Sequence, residues 1–124
     1  PSMPQFGAFP YLGDPTRKLE SVQAYLDVNC SNCHRPGGPG RGEMDLRYTT
    51  PLSDSNTCNV SPAFGSLGIA NAKLITPGDR NKSILWQRLH RRDGFAMPPI
   101  GSTVRDGRAS NFIGSWIDDL NSCP

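Results

Sequence analysis

The stretch Cys30-Ser31-Asn32-Cys33-His34 constrains this chain more than any other, because it places two thiols and an imidazole within five residues. Four kinds of site are compatible with it. The stretch can hold a haem covalently, bind a zinc ion, act as a redox dithiol, or brace a turn with a disulfide. Each of these sites requires different partners elsewhere in the chain, so the remaining sequence discriminates between them.

The Cys-x-x-Cys-His spacing is typical of covalent haem attachment. Two thiols at this spacing add across the vinyl groups of the porphyrin, and the adjacent histidine then lies where its imidazole can bind the iron. Under this interpretation Cys30 and Cys33 form the thioethers and His34 is one axial ligand. It also requires a second axial ligand from a distant part of the sequence.

Met97 is the predicted second ligand, because two prolines follow it directly and stiffen the loop that carries it. Met44 is the second choice, since it follows a glycine-rich loop shortly after the motif. Met3 lies in a proline-rich lead-in. His90 would give a bis-histidine iron, but its neighbours in the basic run RLHRR favour a solvent-facing side chain.

Zinc and dithiol chemistry have weaker support. A structural zinc site usually combines two pairs of closely spaced ligands, whereas Cys58, Cys123 and His90 belong to no pair. A redox dithiol normally follows a strand of a βαβ unit. Cys30 and Cys33 instead follow a predicted helix, so both alternatives remain open but less favoured.

Cys58 and Cys123 are left as an even pair once the motif cysteines are assigned. One lies in a Ser/Asn/Thr-rich loop and the other is next to the last residue, and both have polar neighbours. We expect a disulfide between them, with two unrelated free thiols as the alternative. A disulfide requires an oxidising compartment, which favours an exported protein, periplasmic or extracellular.

The composition predicts a small core. Only 35% of the 124 residues are hydrophobic, while glycine and proline number 13 and 12, so loops take up much of the chain and a cofactor would help to fill its interior. The glycines of residues 35–42 are expected to supply backbone conformations that side chains forbid. The net charge of +2 and the absence of a long apolar run predict no nucleic-acid partner and no membrane span.

Apolar periodicity predicts helices over residues 17–29 and 81–92, and a third helix near the C-terminus. We expect residues 1–16 to form an extended lead-in and residues 17–124 to form one domain. No segment shows convincing strand alternation, so the predicted class is mainly α with long Gly/Pro-rich loops. The third helix has the clearest apolar stripe, which consists of Ala109, Phe112, Ile113, Trp116, Ile117 and Leu120.

The order of these elements resembles the class I c-type cytochromes. The shared features are a helix, Cys-x-x-Cys-His, a Gly/Pro loop, PGDRNKSILWQRL, MPP and a last helix ending in WIDDL. The stretches YLDVNCSNCHRPGG, MDLRYTTPL and MPPIG, with a cysteine near the end, are similar to a bacterial mono-haem subgroup. Members of that subgroup are often fused to larger exported oxidoreductases or carbohydrate-active proteins.

This resemblance covers residues 20–123 and implies the class I cytochrome c fold, in which three core helices surround one covalently bound haem c. It also implies thioethers at Cys30 and Cys33 and axial ligation by His34 and Met97. In many members a proline carbonyl well downstream of the histidine orients the imidazole. Here the prolines after the motif come early, so that role has no assigned residue.

The haem propionates would need hydrogen-bond donors, since buried carboxylates require partners. Arg47, Tyr48, Arg88 and Arg91 are the candidates. Ordinary surface charge explains these four residues equally well.

The resemblance implies an electron carrier and not an enzyme, because a His/Met-ligated iron has no open position for a substrate. We expect a monomer that exchanges single electrons with a redox partner or a fused catalytic domain. Family analogy suggests a quinoprotein dehydrogenase or a copper polysaccharide monooxygenase as that partner. The alternatives are a peroxidase-like haem domain with a displaceable distal ligand and a zinc-stabilised interaction module.

Overall fold

A computed structural model describes residues 17–40, 42–63, 65–90 and 107–124. Its three helices are α1 (Lys18–Cys30), α2 (Ile84–His90) and α3 (Gly107–Asp118). No strand occurs in these four ranges, where strand-like pairing is limited to isolated bridges. The predicted mainly α class is therefore confirmed for this part of the chain. None of the helices described is long and apolar enough to cross a membrane.

The apolar face of α1 is the predicted one. Val22 and Leu26 are buried in the hydrophobic core, and Leu19 and Tyr25 pack against it. The helix runs one residue further than expected, so that Cys30 is its last residue. The first motif cysteine is thus held by the helix itself and does not follow it.

Ser31 ends α1 by satisfying carbonyl groups of the last turn. Its N–H donates to the carbonyls of Leu26 and Asp27, and its hydroxyl donates to the Asp27 carbonyl at 2.7 Å. Free carbonyl groups at a helix end need such partners. Ser31 therefore caps α1 at the point where the motif turn starts.

Helix α3 packs against both α1 and α2. The stripe predicted from the sequence faces this packing, since its members are buried or partly buried against the core. Leu120 lies beyond the end of the helix but still packs on the core. The buried members of the stripe within α3 are Ala109, Ile113, Trp116 and Ile117.

Helix α2 begins later than the sequence pattern predicted, because polar side chains organise the preceding turn. Residues Arg80–Lys82 form a 3-10 turn in which the Asp79 carboxylate accepts from the Asn81 N–H at 2.9 Å. The Ser83 hydroxyl then donates to the Asp79 carbonyl at 2.9 Å. Short polar side chains of this kind compete with helical hydrogen bonds, so the regular helix starts at Ile84.

Arg80 and Trp86 join α2 to α3 through polar contacts. The Arg80 N–H and Nε donate to the Asp118 carboxylate at 2.9 and 2.8 Å, and its guanidinium lies 5.5 Å from the centroid of the Trp86 ring. The Trp86 Nε1 donates to the Ser110 carbonyl at 2.8 Å. Both side chains are therefore fixed against the face of α3 that carries Gly114.

The predicted disulfide between Cys58 and Cys123 is confirmed, with the two Cα atoms 5.8 Å apart. Cys58 is tied to the interior because its neighbours pair with Ile75: the Ile75 N–H donates to Thr57, and the Asn59 N–H donates to Ile75. The bridge thus holds the end of the chain against a loop anchored in the core. Such a bond is compatible with an oxidising, exported location.

Replacing Gly114 by alanine is expected to destabilise the fold. A Cβ at this position would lie 2.6 Å from Nη1 of Arg80 and 2.8 Å from Nε1 of Trp86, two groups that hydrogen bonds hold in place. Overpacking of this kind costs about 1–3 kcal/mol, which exceeds the gain of about 1 kcal/mol in helix propensity. Urea denaturation of Gly114→Ala measures the difference in the free energy of unfolding.

The matched control is Gly107→Ala, in the same helix, because a Cβ there meets no atom of the described residues within 4 Å. We expect its stability to equal or exceed that of the unmodified protein. If the two variants unfold at the same urea concentration, the close packing of Arg80 and Trp86 on Gly114 does not constrain the fold.

Candidate functional site

The motif residues are presented by one tight turn at the end of α1. The Cys30 carbonyl accepts hydrogen bonds from the N–H groups of Cys33 and His34, at 3.1 and 2.9 Å. These two bonds place both cysteines and the histidine on a single backbone turn. Both thiols are free, so the disulfide-braced turn is not the arrangement seen here.

The two motif thiols differ in environment. Cys30 packs against the hydrophobic core, and burial raises the pKa of its thiol to about 11, with the nearby Cys33 adding to the effect. Cys33 is exposed to solvent. The pair therefore has one enclosed sulfur and one accessible sulfur.

The His34 imidazole is partly buried, and burial lowers its pKa. Its Nδ1 is enclosed, yet none of the described residues hydrogen-bonds to it. A buried polar atom without a partner lowers stability, and a functional role is one reason why a protein retains such an atom. The backbone of His34 is nonetheless well fixed, since its carbonyl accepts from the Leu46 N–H at 2.9 Å.

The loop after the motif folds back over it. The Gly40 N–H donates to the Cys33 carbonyl at 2.8 Å. A Cβ on Gly40 would lie 2.7 Å from that carbonyl oxygen and 2.7 Å from Nδ1 of His34, and one on Gly38 would lie 2.5 Å from the same oxygen. The glycines of this loop are expected to supply backbone conformations that side chains forbid, and Gly37 and Gly42 do so, with φ values of 78° and 81°. At Gly38 and Gly40 the reason is instead close approach to the motif, since the φ values are not positive.

Residues 46–50 run back along α1 and connect the motif to the helix. The Tyr48 N–H donates to Oδ1 of Asp27 at 3.1 Å, and the side-chain amide of Gln23 donates to the Thr50 carbonyl at 3.1 Å. Oδ1 of Asp27 also accepts from the hydroxyl of Ser31, between the two cysteines. Asp27 thus links the helix, the motif turn and the following segment, a role that the sequence analysis missed.

Asp45 organises the same segment from within. Its carboxylate accepts from Nε and Nη2 of Arg47 at 2.9 and 2.7 Å and from the Thr50 hydroxyl at 2.8 Å. The Arg47 hydrogen bonds hold the pKa of Asp45 far below its ordinary value, although burial opposes this. Two of the N–H groups of Arg47, a predicted propionate donor, are therefore already paired with Asp45.

The remaining predicted site residues are dispersed. Tyr48 is partly buried beside α1, and Arg88 is partly buried on α2. Met97 and Arg91 lie outside the described residues. Met44, the second choice for the iron ligand, is partly buried and packs against the hydrophobic core.

His90 does not have the solvent-facing position predicted for it. Its ring stacks on that of Trp86, with the centroids 4.4 Å apart and the planes inclined by 16°. The side chain is half-buried as a result. The aromatic neighbour one helical turn earlier explains the difference, because residues four apart share a helix face.

No group of three His, Cys, Asp or Glu side chains converges to hold a metal ion among the residues that the structure describes. Comparisons with known proteins add no relative: no protein-family model, no characterised protein and no solved structure matches the chain. The functional assignment therefore depends on the motif and its surroundings.

Removing the Asp27 carboxylate is expected to loosen the motif turn. Asp27→Ala leaves the Tyr48 N–H without its acceptor, which should lower the free energy of unfolding by about 1–3 kcal/mol, while the Ser31 hydroxyl keeps its bond to the backbone carbonyl of residue 27. The amide proton of Tyr48 should also exchange faster with solvent. Urea denaturation and hydrogen exchange measured by NMR test both effects.

Asp27→Asn is the matched control, because its side-chain oxygen can still accept both bonds. We expect this variant to stay within about 0.5 kcal/mol of the unmodified protein, as is usual for substitutions that retain their contacts. Equal exchange rates at Tyr48 in the two variants would contradict the linking role of Asp27.

Proposed function

We propose that this chain is a mono-haem c-type cytochrome domain that carries single electrons. Cys30 and Cys33 would attach the haem c, and His34 would bind its iron. The observation that carries the proposal is the motif turn, which joins two free thiols to an imidazole whose Nδ1 is enclosed, so that Nε2 is left for a ligand. Two thiols and one imidazole are the groups that a covalently attached haem requires, and both their chemistry and their sequence spacing fit such a haem.

The cysteine environments favour attachment over dithiol chemistry. A reactive dithiol needs a thiolate with a lowered pKa at an accessible position. Burial shifts the pKa of Cys30 in the opposite direction, to about 11. A buried, protonated thiol next to an apolar core is a poor nucleophile for disulfide exchange, whereas a permanent thioether has no such requirement.

The His34 environment favours ligation. Only the neutral imidazole has a free nitrogen lone pair, so a metal competes with a proton for it. Burial lowers the pKa of His34, which keeps the ring neutral over a wider pH range. Because Gly40 covers Nδ1, Nε2 is the nitrogen that remains for a ligand.

A haem in this position would supply a one-electron Fe(III)/Fe(II) couple. The residues of the chain would hold it, limit solvent access and complete its coordination. We propose Met97 as the second axial ligand, a thioether donor that raises the reduction potential. Met44 has another role in this scheme, because it packs against the core.

The proposed carrier would act in an exported compartment, where the Cys58–Cys123 disulfide is stable. Its partner would be a redox enzyme, separate from it or fused to it. A quinoprotein dehydrogenase and a copper polysaccharide monooxygenase are partners of suitable chemistry, suggested by family analogy.

Expression together with a haem-attachment system should give a red protein whose haem remains bound after denaturation. The double variant Cys30→Ala/Cys33→Ala should lose all covalent haem, and each single variant should retain one thioether with a shifted α-band. Intact mass and the absorption spectrum of the reduced protein measure these outcomes.

The control is Cys58→Ala/Cys123→Ala, which should keep the covalent haem and lose only the cross-link. A colourless unmodified protein that contains stoichiometric zinc would refute the cytochrome proposal and support the zinc-stabilised module instead.

Met97→Ala should abolish the far-red sulfur-to-iron band of the oxidised protein and lower its reduction potential, because the thioether favours the ferrous state. Met44→Ala should keep the band and lower only the free energy of unfolding, by less than the roughly 2–5 kcal/mol of a fully buried methionine, because its side chain is partly buried. Absorption spectra and potentiometric titration distinguish the two variants.

A far-red band that persists in Met97→Ala and disappears in Met44→Ala would show that Met44 is the ligand. If neither unmodified protein nor variant has the band, the iron lacks a thioether ligand, and the peroxidase-like alternative gains support.

A further inference from the structure

Gly40 and His34 are in closer contact than any side chain would allow. A Cβ on Gly40 would stand 2.7 Å from Nδ1 and 2.8 Å from Cε1 of the imidazole. Real Cβ atoms do not approach other heavy atoms so closely, so an added methyl group would have to displace the ring or the loop. The bare backbone of Gly40 therefore forms the surface against which this edge of the ring rests.

The loop itself cannot retreat easily. The Gly40 N–H donates a hydrogen bond to the Cys33 carbonyl at 2.8 Å, and the His34 carbonyl accepts one from the Leu46 N–H. The Gly38 N–H closes a second turn onto Arg35 at 2.9 Å. Moving Gly40 away would break the first bond and leave the Cys33 carbonyl without its partner.

The His34 imidazole can move more easily than the loop that carries Gly40. Rotation of an imidazole about its Cβ–Cγ bond has broad, shallow preferences, so the side chain does not fix its own plane. No described residue hydrogen-bonds to Nδ1, which removes the usual means of fixing that plane. Among the described residues, steric contact with Gly40 is a restraint that acts directly on this edge of the ring.

We propose that Gly40 is the positioning residue of His34, and that its backbone sets the rotation of the imidazole plane. This inference rests on the proposed function, because the plane of the imidazole has a measurable effect only when the ring is bound to a haem iron. That plane determines how the iron orbitals and the unpaired electron density are arranged. It is therefore measured by the electron paramagnetic resonance of the oxidised protein and by the NMR shifts of its haem methyl groups.

The experiment compares Gly40→Ala with Gly38→Ala in the haem-loaded protein. The second variant is the matched control, because the atoms nearest to a Cβ on Gly38 belong to Cys33 and Arg35, and no imidazole atom lies closer to it than 3.1 Å. We expect Gly40→Ala to change the g values and the order of the haem methyl shifts. Gly38→Ala should preserve both, even if its melting temperature falls.

Unchanged g values and methyl shifts in Gly40→Ala, or equal changes in both variants, would overturn the positioning role while leaving the cytochrome proposal intact. An unmodified protein that attaches no haem would overturn both. If Gly40→Ala fails to fold, the reduced unmodified protein provides the test by NMR. The Nδ1 proton of His34 should then exchange slowly because Gly40 covers it, and rapid exchange would refute the inference.

Discussion

The packing of α3 against α1 and α2 is the interaction on which the described fold depends. The chain has few hydrophobic residues for its length. Packing the apolar stripe of one helix against two others lets these few residues form a common core. The Arg80 bonds to Asp118 and the stacking of Arg80 on Trp86 fix the same interface with polar groups. The Cys58–Cys123 disulfide then restrains the segment that follows α3. Apolar packing and polar contacts therefore both fix the position of α3.

The motif is fixed by different forces from those that form the core. Cys30 packs against the hydrophobic cluster, and the rest of the turn is fixed by hydrogen bonds to Asp27 and to the carbonyls of Cys30, Cys33 and His34. Backbone carbonyls act at fixed positions, whereas apolar contacts tolerate small shifts. A turn that must present several donor atoms at once benefits from that kind of restraint.

Local patterns in the sequence predicted the elements well. The sequence predicted the buried faces of α1 and α3, the mainly α class and the Cys58–Cys123 disulfide. Apolar periodicity depends on near neighbours, and the expected cysteine pairing depends on the number of cysteines. The start of α2 was misplaced, since Asp79 and Ser83 organise the preceding turn. Asp27 and Gly40 were missed for another reason. Their roles depend on contacts with Tyr48 and His34 that only the folded chain creates, and a glycine in a Gly/Pro-rich loop has an easier explanation in backbone conformation.

The unequal burial of the two motif thiols bears on the proposed function. A large planar group joined to both sulfurs would be shielded on the side of the core and accessible on the side of solvent. Cys30 lies against the core and Cys33 is exposed. A carrier of single electrons needs this combination, since burial limits solvent access to the redox centre while an accessible edge permits exchange with a partner.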